Sequence, residues 1–190
     1  MLEINANLKF LCPFGCIVSG PSMSGKSHFI LGLIKRKDLF DPPPDRIVYT
    51  YNSWQKDFDQ CPGVDFVWGI DGLSEVQFDP KIRRPLLCSQ GICTTRTLVF
   101  FAVQNLFKQG KSMRDVALNS QVIVLFKSPR DVQQIRVLAR QTGVKDLEKA
   151  YLEAIKDPYG YLVINLQPHT PDTIRLQTDI FNRHRRIFRI

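Results

Sequence analysis

Gly20-Pro21-Ser22-Met23-Ser24-Gly25-Lys26-Ser27 places two glycines, a lysine and a hydroxyl at the spacing G-x-x-x-x-G-K-[ST]. Those residue types at those intervals suit the holding of a phosphate chain. Gly20 and Gly25 permit backbone conformations closed to other residues, so that successive N–H groups can face phosphate oxygens above the positive end of a helix starting near Lys26. Lys26 is placed to reach the outer phosphates of a nucleotide, and the Ser27 hydroxyl to ligate the Mg²⁺ that bridges them. Gly20, Pro21, Ser22, Met23, Ser24, Gly25, Lys26, Ser27 and the following His28 form the expected nucleotide-binding surface.

The flanking segments are those that such a loop requires. Cys16-Ile17-Val18-Ser19 is short, apolar and half β-branched, the pattern of a buried parallel strand. Phe29, Ile30, Leu33 and Ile34 recur at helical spacing and would lay one apolar face on a sheet.

Hydrolysis needs more than a phosphate cradle. A carboxylate at the end of a second buried strand should hold Mg²⁺ through water, and a neighbouring one should polarise the attacking water. No apolar strand here ends in such a pair: residues 47–51 lead into Asn52, 98–103 into Gln104, 122–126 into Lys127 and 162–164 into Asn165. Asp71 is the nearest substitute, but the glycine after it also fits an ordinary turn aspartate. Gln104, an amide at a strand end, could orient water or bond the terminal phosphate; it could equally satisfy backbone groups.

The chain has 190 residues, enough for one α/β domain over 1–190 with a full core. Residues 46–51, 64–68, 98–103, 122–126 and 159–164 read as strands, and 131–141 and 144–155 as helices. Asn52 or Ser53 could cap a short helix through Asp59, residues 112–118 look like another, and 173–178 could pair as a hairpin with the late strand. Residues 1–14 read as an edge strand or arm, and 40–45, with three prolines, as a connection. Strands alternating with helices imply a mostly parallel sheet flanked by helices.

Lys and Arg number 26 against 18 Asp and Glu, a net +8 that suits a polyanion and equally suits an ordinary basic protein. The basic tail 182–190 could contact DNA phosphates or act as a nuclear address, although a solvated basic end is the preferred expectation. Five cysteines (Cys12, Cys16, Cys61, Cys88, Cys93) form no C-x-x-C pair, so free thiols in a reducing compartment are expected. No spacing resembles a zinc site, although Cys88 and Cys93 could be combined with His28 or His169. No apolar run approaches the ~18 residues of a membrane span and no secretory leader stands at the start, so a cytoplasmic or nuclear location (or a viral factory), not secretion and not a membrane, is expected.

Gln104-Asn105-Leu106-Phe107-Lys108-Gln109-Gly110-Lys111, Met113-Arg114, Leu118-Asn119-Ser120, Val124-Leu125-Phe126-Lys127-Ser128-Pro129-Arg130-Asp131 and Leu138-Ala139-Arg140-Gln141 carry a family likeness. The chain resembles the genome-packaging ATPases of large DNA viruses and Polinton (Maverick) transposons, the poxvirus-type branch of the FtsK/HerA superfamily. The resemblance implies a RecA-like P-loop NTPase fold, a motor on double-stranded DNA and a homo-oligomeric ring. It also implies nucleotide and Mg²⁺ at Lys26 and Ser27, a sensing role for Gln104, and a possible arginine finger among Arg114, Arg130 and Arg140.

The family carries, before the Gln104 strand, an apolar strand ending in paired acids. Here Pro85-Leu86-Leu87-Cys88 begins such a strand and Gly91-Ile92-Cys93-Thr94-Thr95-Arg96 resumes after it, with the acids and about twenty residues absent. One core strand is therefore expected to be missing or replaced. Residues 98–103 should still lie beside 16–19, with 47–51 or 64–68 filling the vacancy. Two other functions compete with a motor: a nucleotide-binding interaction module without turnover, and a small-molecule phosphotransferase.

Overall fold

A computed structural model describes residues 2–4, 8–69, 72, 96–106, 116–117, 119–182 and 185–188. Strands β1 (Leu2–Ile4), β2 (Phe10–Leu11) and β3 (Phe14–Ser19) precede helix α1 (Lys26–Lys35). Then come β4 (Phe40–Asp41), β5 (Arg46–Tyr51), β6 (Val64–Trp68), β7 (Thr97–Val103) and β8 (Val122–Phe126). Helices α2 (Val132–Thr142) and α3 (Leu147–Ala154) lead to β9 (Tyr161–Asn165), β10 (Leu176–Thr178) and β11 (Arg185–Phe188). Nine strands form one sheet in the order β1-β11-β10-β9-β8-β3-β7-β5-β6, and β2 pairs with β4 separately.

The five strands from β8 to β6 run parallel, and β9, β10, β11 and β1 extend the sheet antiparallel. Helices cover both faces, which explains the near-continuous apolar runs of the central strands. On one face α1 buries Phe29, Ile30, Leu33 and Ile34 against Cys16, Val18 and Phe100. On the other, Ile135 and Leu138 of α2 and Leu147 and Tyr151 of α3 pack on Ile17, Phe101 and Leu125.

The strand order shows which strands border the one that ends at Gln104. β7 pairs with β3 from Phe14↔Leu98 to Ser19↔Val103, and its other edge is taken by β5, from Arg46↔Thr97 to Thr50↔Phe101. The expected neighbour is in place, and residues 47–51 fill the vacancy. β9 and β10 form the expected C-terminal hairpin.

Other expectations change at their edges. Residues 1–14 hold two short strands at different places in the fold, because β1 joins β11 while β2 meets β4. The segment through Asp59 is a 3-10 turn, Lys56–Gln60, that buries Phe58. α3 starts later than its apolar pattern does, because Gly143 and Asp146 take left-handed conformations (φ 68° and 53°) that interrupt the helix. The anticipated helix over 112–118, the strand start at 85–88, residues 91–95 and Asp71 lie outside the described residues, apart from Val116 and Ala117, which are helical. No helix among the described residues is long and apolar enough to cross a membrane.

The basic tail is where the structure corrects the sequence. Residues 185–188 are not a solvated end but a strand between β10 and β1, with Ile187 fully buried. Arg186 is held by the carboxylates of Asp179 and Asp157, and Arg185 is 5% exposed, its Nη1 donating to Gln177 Oε1 at 3.4 Å. Alternation through β11 puts Ile187 and Phe188 into opposite faces of the sheet. Removing residues 182–190 should therefore lower stability by about 3–6 kcal/mol, from the burial of those two side chains alone. A urea unfolding curve checks this, and a midpoint unchanged by the truncation would restore the solvated tail.

Candidate functional site

The phosphate loop connects β3 to α1 at the C-terminal edge of the parallel strands, where open α/β sheets place their ligands. Gly20 N donates to Val103 O at 3.2 Å, tying the start of the loop to the end of β7. A Cβ on Gly20 would fall 2.7 Å from Phe126 Cβ and 2.8 Å from Ser24 Oγ, so only glycine fits. Gly25, the N-cap of α1, has φ 98°, a backbone region that disfavours side chains. Met23 is also left-handed at φ 62° and is 93% exposed at the loop's tip. The first-turn N–H groups of α1 have no acceptor within the helix, so they and the helix dipole make this edge electropositive.

Lys26 is turned back on the loop. Its Nζ donates to Gly20 O at 2.8 Å and to Pro21 O at 2.7 Å. Partial burial lowers its pKa from the usual lysine value. Ser24 Oγ is buried with no hydrogen-bond partner among the described residues.

A cleft of about 510 Å³ opens beside the loop, walled by the ends of β5 and β7. Gln104 sits there, its Nε2 donating to Ser22 Oγ at 3.3 Å, so the strand-end amide faces the loop rather than the backbone. Tyr49, absent from the sequence-based candidates, places its hydroxyl 3.4 Å from Ser27 Oγ. Burial raises the Tyr49 pKa, so the group is a neutral phenol at physiological pH. Tyr51, Asn52, Ser53 and Gln55 complete that wall, and no Asp or Glu is among the described residues lining the cleft.

An aromatic cluster fixes this wall. Tyr49 packs edge-on to Phe58 at 5.1 Å, Phe58 stacks on Phe66 at 4.6 Å, and Trp54 meets Tyr51 at 5.3 Å. The 3-10 turn after β5 is thereby clamped to β6. The signal for Tyr49 was present in Arg46-Ile47-Val48-Tyr49-Thr50-Tyr51, but only the sheet order turns its hydroxyl into a loop neighbour.

The arginines are less concentrated. Arg130 is exposed in the turn directly after β8, and Arg140 is exposed in the last turn of α2; neither lines the cleft, and Arg114 lies outside the described residues. Among the described residues no three His, Cys, Asp or Glu side chains converge as a metal-binding group.

No known family profile matches the chain, and no curated protein sequence does. Solved structures do match. The genome packaging NTPase B204 from Sulfolobus turreted icosahedral virus 2 in complex with ATP-gammaS aligns with a TM-score of 0.51 at 14% identity, covering 87% of this chain and 95% of that one. The AMPPCP complex of the same protein gives 0.49 at 15% identity over 83% and 94%. At this identity the likeness is one of fold, and with the sheet order above it establishes a mixed α/β P-loop NTPase fold with a mostly parallel central sheet flanked by helices.

The Gly20 contact is open to a direct check. Gly20→Ala should destabilise the fold by about 1–3 kcal/mol, the range for overpacking against a core side chain. Because the clash is with Phe126 Cβ, which leucine also carries, a companion Phe126→Leu should return none of that loss in thermal unfolding. An unaltered midpoint in Gly20→Ala would mean that the loop does not rest on Phe126.

Proposed function

We propose that the chain is an ATP-binding P-loop NTPase related to double-stranded DNA packaging and translocating ATPases. The carrying observation is the loop itself: glycine-only contact with Phe126, Gly25 as left-handed cap, and Lys26 stationed on the loop carbonyls at the N-terminus of a ten-residue helix. The similarity to B204, described as a genome packaging NTPase and determined with ATP-gammaS, is consistent with the packaging relationship.

The residues present fit ATP and Mg²⁺. The Gly20 cradle is space that a Cβ would fill, and Ser27 offers a hard hydroxyl oxygen on the first turn of α1. One protein oxygen suits a cation that keeps several waters and arrives on a triphosphate. When bound, Mg²⁺ neutralises charge on the outer phosphates. The chain's own residues bind and orient: backbone N–H groups from Ser22 to His28 hold the phosphates, and the Lys26 ammonium leaves Gly20 O and Pro21 O for phosphate oxygens. Gln104 meets the terminal phosphate or the water in front of it, and Tyr49 fixes the Ser27 hydroxyl.

Turnover needs a group that polarises the attacking water. The cleft wall where a water-polarising carboxylate would act carries Tyr49, Tyr51, Asn52 and Gln55 among the described residues, none of them a carboxylate. That wall supports the second reading, a nucleotide-binding interaction module that assembles with other subunits without hydrolysing. A single-domain chain, a homo-oligomeric ring, Arg114, Arg130 or Arg140 acting in trans, and contact of the net +8 surface with DNA belong to the motor reading and stand or fall with it.

Purified protein should bind MgATP in isothermal titration, and Lys26→Ala should weaken binding at least tenfold. DNA-stimulated phosphate release that Lys26→Ala abolishes supports the motor; binding with release no faster than in Lys26→Ala supports the module. If the unsubstituted chain fails to bind MgATP, both readings are wrong.

A further inference from the structure

Tyr159 stands on the other flank of the phosphate loop from Gln104. β7, which ends at Gln104, borders β3 on one side, while β8 and then β9 lie on the other, and Tyr159 is two residues before β9. Its ring Cδ1 is 3.8 Å from where a Cβ on Gly25 would project, at the N-cap of α1. The residue is 70% exposed.

Core packing does not account for this placement. Tyr159 has φ 60°, a left-handed conformation that costs a tyrosine about 1–2 kcal/mol. The turn enforces it: Gly160 N donates to Asp157 O and Gly160 O accepts from Lys127 N, both at 3.1 Å. A Cβ on Gly160 would fall 2.4 Å from Ala154 O, which leaves no room for the turn to relax there. A large aromatic ring is thus held in an unfavourable backbone state, open to solvent, at the rim of a phosphate cradle. Strain maintained by surrounding structure points toward use of the side chain.

The direction of a bound nucleotide identifies that use. Gln104, Tyr49 and Ser27 mark the terminal-phosphate end, because the cleft and the polar groups that could face a leaving phosphate lie on the β7 and β5 side. A phosphate chain laid along the loop N–H groups from that end runs toward β8, and the nucleoside leaves the loop beside Tyr159. We propose that the Tyr159 ring is the stacking platform for the nucleobase. The proposal rests on the nucleotide-binding reading above. A single ring face reads area rather than base edges, so it favours purines over pyrimidines and separates ATP from GTP poorly.

The test compares MgATP, MgCTP and inorganic tripolyphosphate with Mg²⁺ by isothermal titration of the whole chain. Tyr159→Ala should weaken MgATP about tenfold, the lower part of the range for one base on one aromatic ring, and leave tripolyphosphate unchanged. Tyr159→Phe should bind MgATP like the unsubstituted chain. Tyr159→Asn, which tolerates positive φ, should reproduce the alanine result without loss of thermal stability, so a folding defect in Tyr159→Ala leaves the test intact. Undiminished MgATP binding in both Tyr159→Ala and Tyr159→Asn, or an equal loss of tripolyphosphate binding, overturns the platform while sparing the phosphate site. Failure of the unsubstituted chain to bind either MgATP or tripolyphosphate overturns the nucleotide reading and this one with it.

Discussion

The contact between Phe126 and the phosphate loop is the constraint on which the rest of the site depends. Phe126 ends β8, and its Cβ lies where a Gly20 side chain would have to go, while its ring edge is 3.4 Å from the corresponding point on Gly25. The same ring meets Phe29 of α1 edge-on at 5.8 Å and Tyr161 of β9 at 5.5 Å. Its carbonyl accepts from the Tyr151 hydroxyl of α3 at 3.0 Å. One residue therefore sets the height of the loop, the seat of the helix behind it and the position of the strand beside it. Both loop glycines are needed for different reasons, Gly20 because Phe126 occupies its side-chain space and Gly25 because of its backbone angle.

Sheet order then decides what faces the loop from the other side. With β5 directly against β7, Thr50 Oγ1 donates to Phe100 O at 3.2 Å and the pairing is continuous from Arg46↔Thr97 to Thr50↔Phe101. The strand that borders the Gln104 strand consequently ends in Tyr51 and Asn52, not in acids. Tyr49 is carried two residues short of that end, near Ser27. A phenol whose pKa is raised by burial keeps its proton and can orient a hydroxyl, but it cannot take a proton from water at neutral pH. The position of β5 beside β7 thus gives Ser27 a polar neighbour that orients without acting as a base.

The parallel core was legible because its strands are buried on both faces. Val122-Ile123-Val124-Leu125-Phe126 and Leu98-Val99-Phe100-Phe101-Ala102-Val103 are apolar throughout, and their boundaries lie within a residue of the observed strands. The same property hid Tyr49: Val48 and Tyr49 are both buried, so no alternation marks which face turns toward the loop. β11 was missed for an opposite reason. Arg185 and Arg186 read as solvated charge, and the partners that neutralise Arg186 are Asp179, seven positions away, and Asp157, in the turn before β9. Pairing across a sheet edge leaves no local trace in composition. Helix starts were displaced wherever a left-handed residue, Gly143 or Asp146, interrupted an otherwise helical pattern.

Lys26 couples the proposed binding of phosphate to the conformation of the loop. Its ammonium already makes two short hydrogen bonds to loop carbonyls, so a phosphate competes with bonds of similar strength instead of filling a void. The net gain comes from charge, because an ammonium whose pKa is lowered by burial recovers more from a phosphate dianion than from neutral carbonyls. In that exchange Gly20 O gives up its Lys26 donor, while Pro21 O keeps the Ser24 N–H at 3.3 Å. Loop rearrangement is therefore part of the binding free energy. On the proposed nucleotide-binding reading, Gln104 and Tyr49 on one side and Tyr159 on the other would give a ligand its direction once Lys26 has moved.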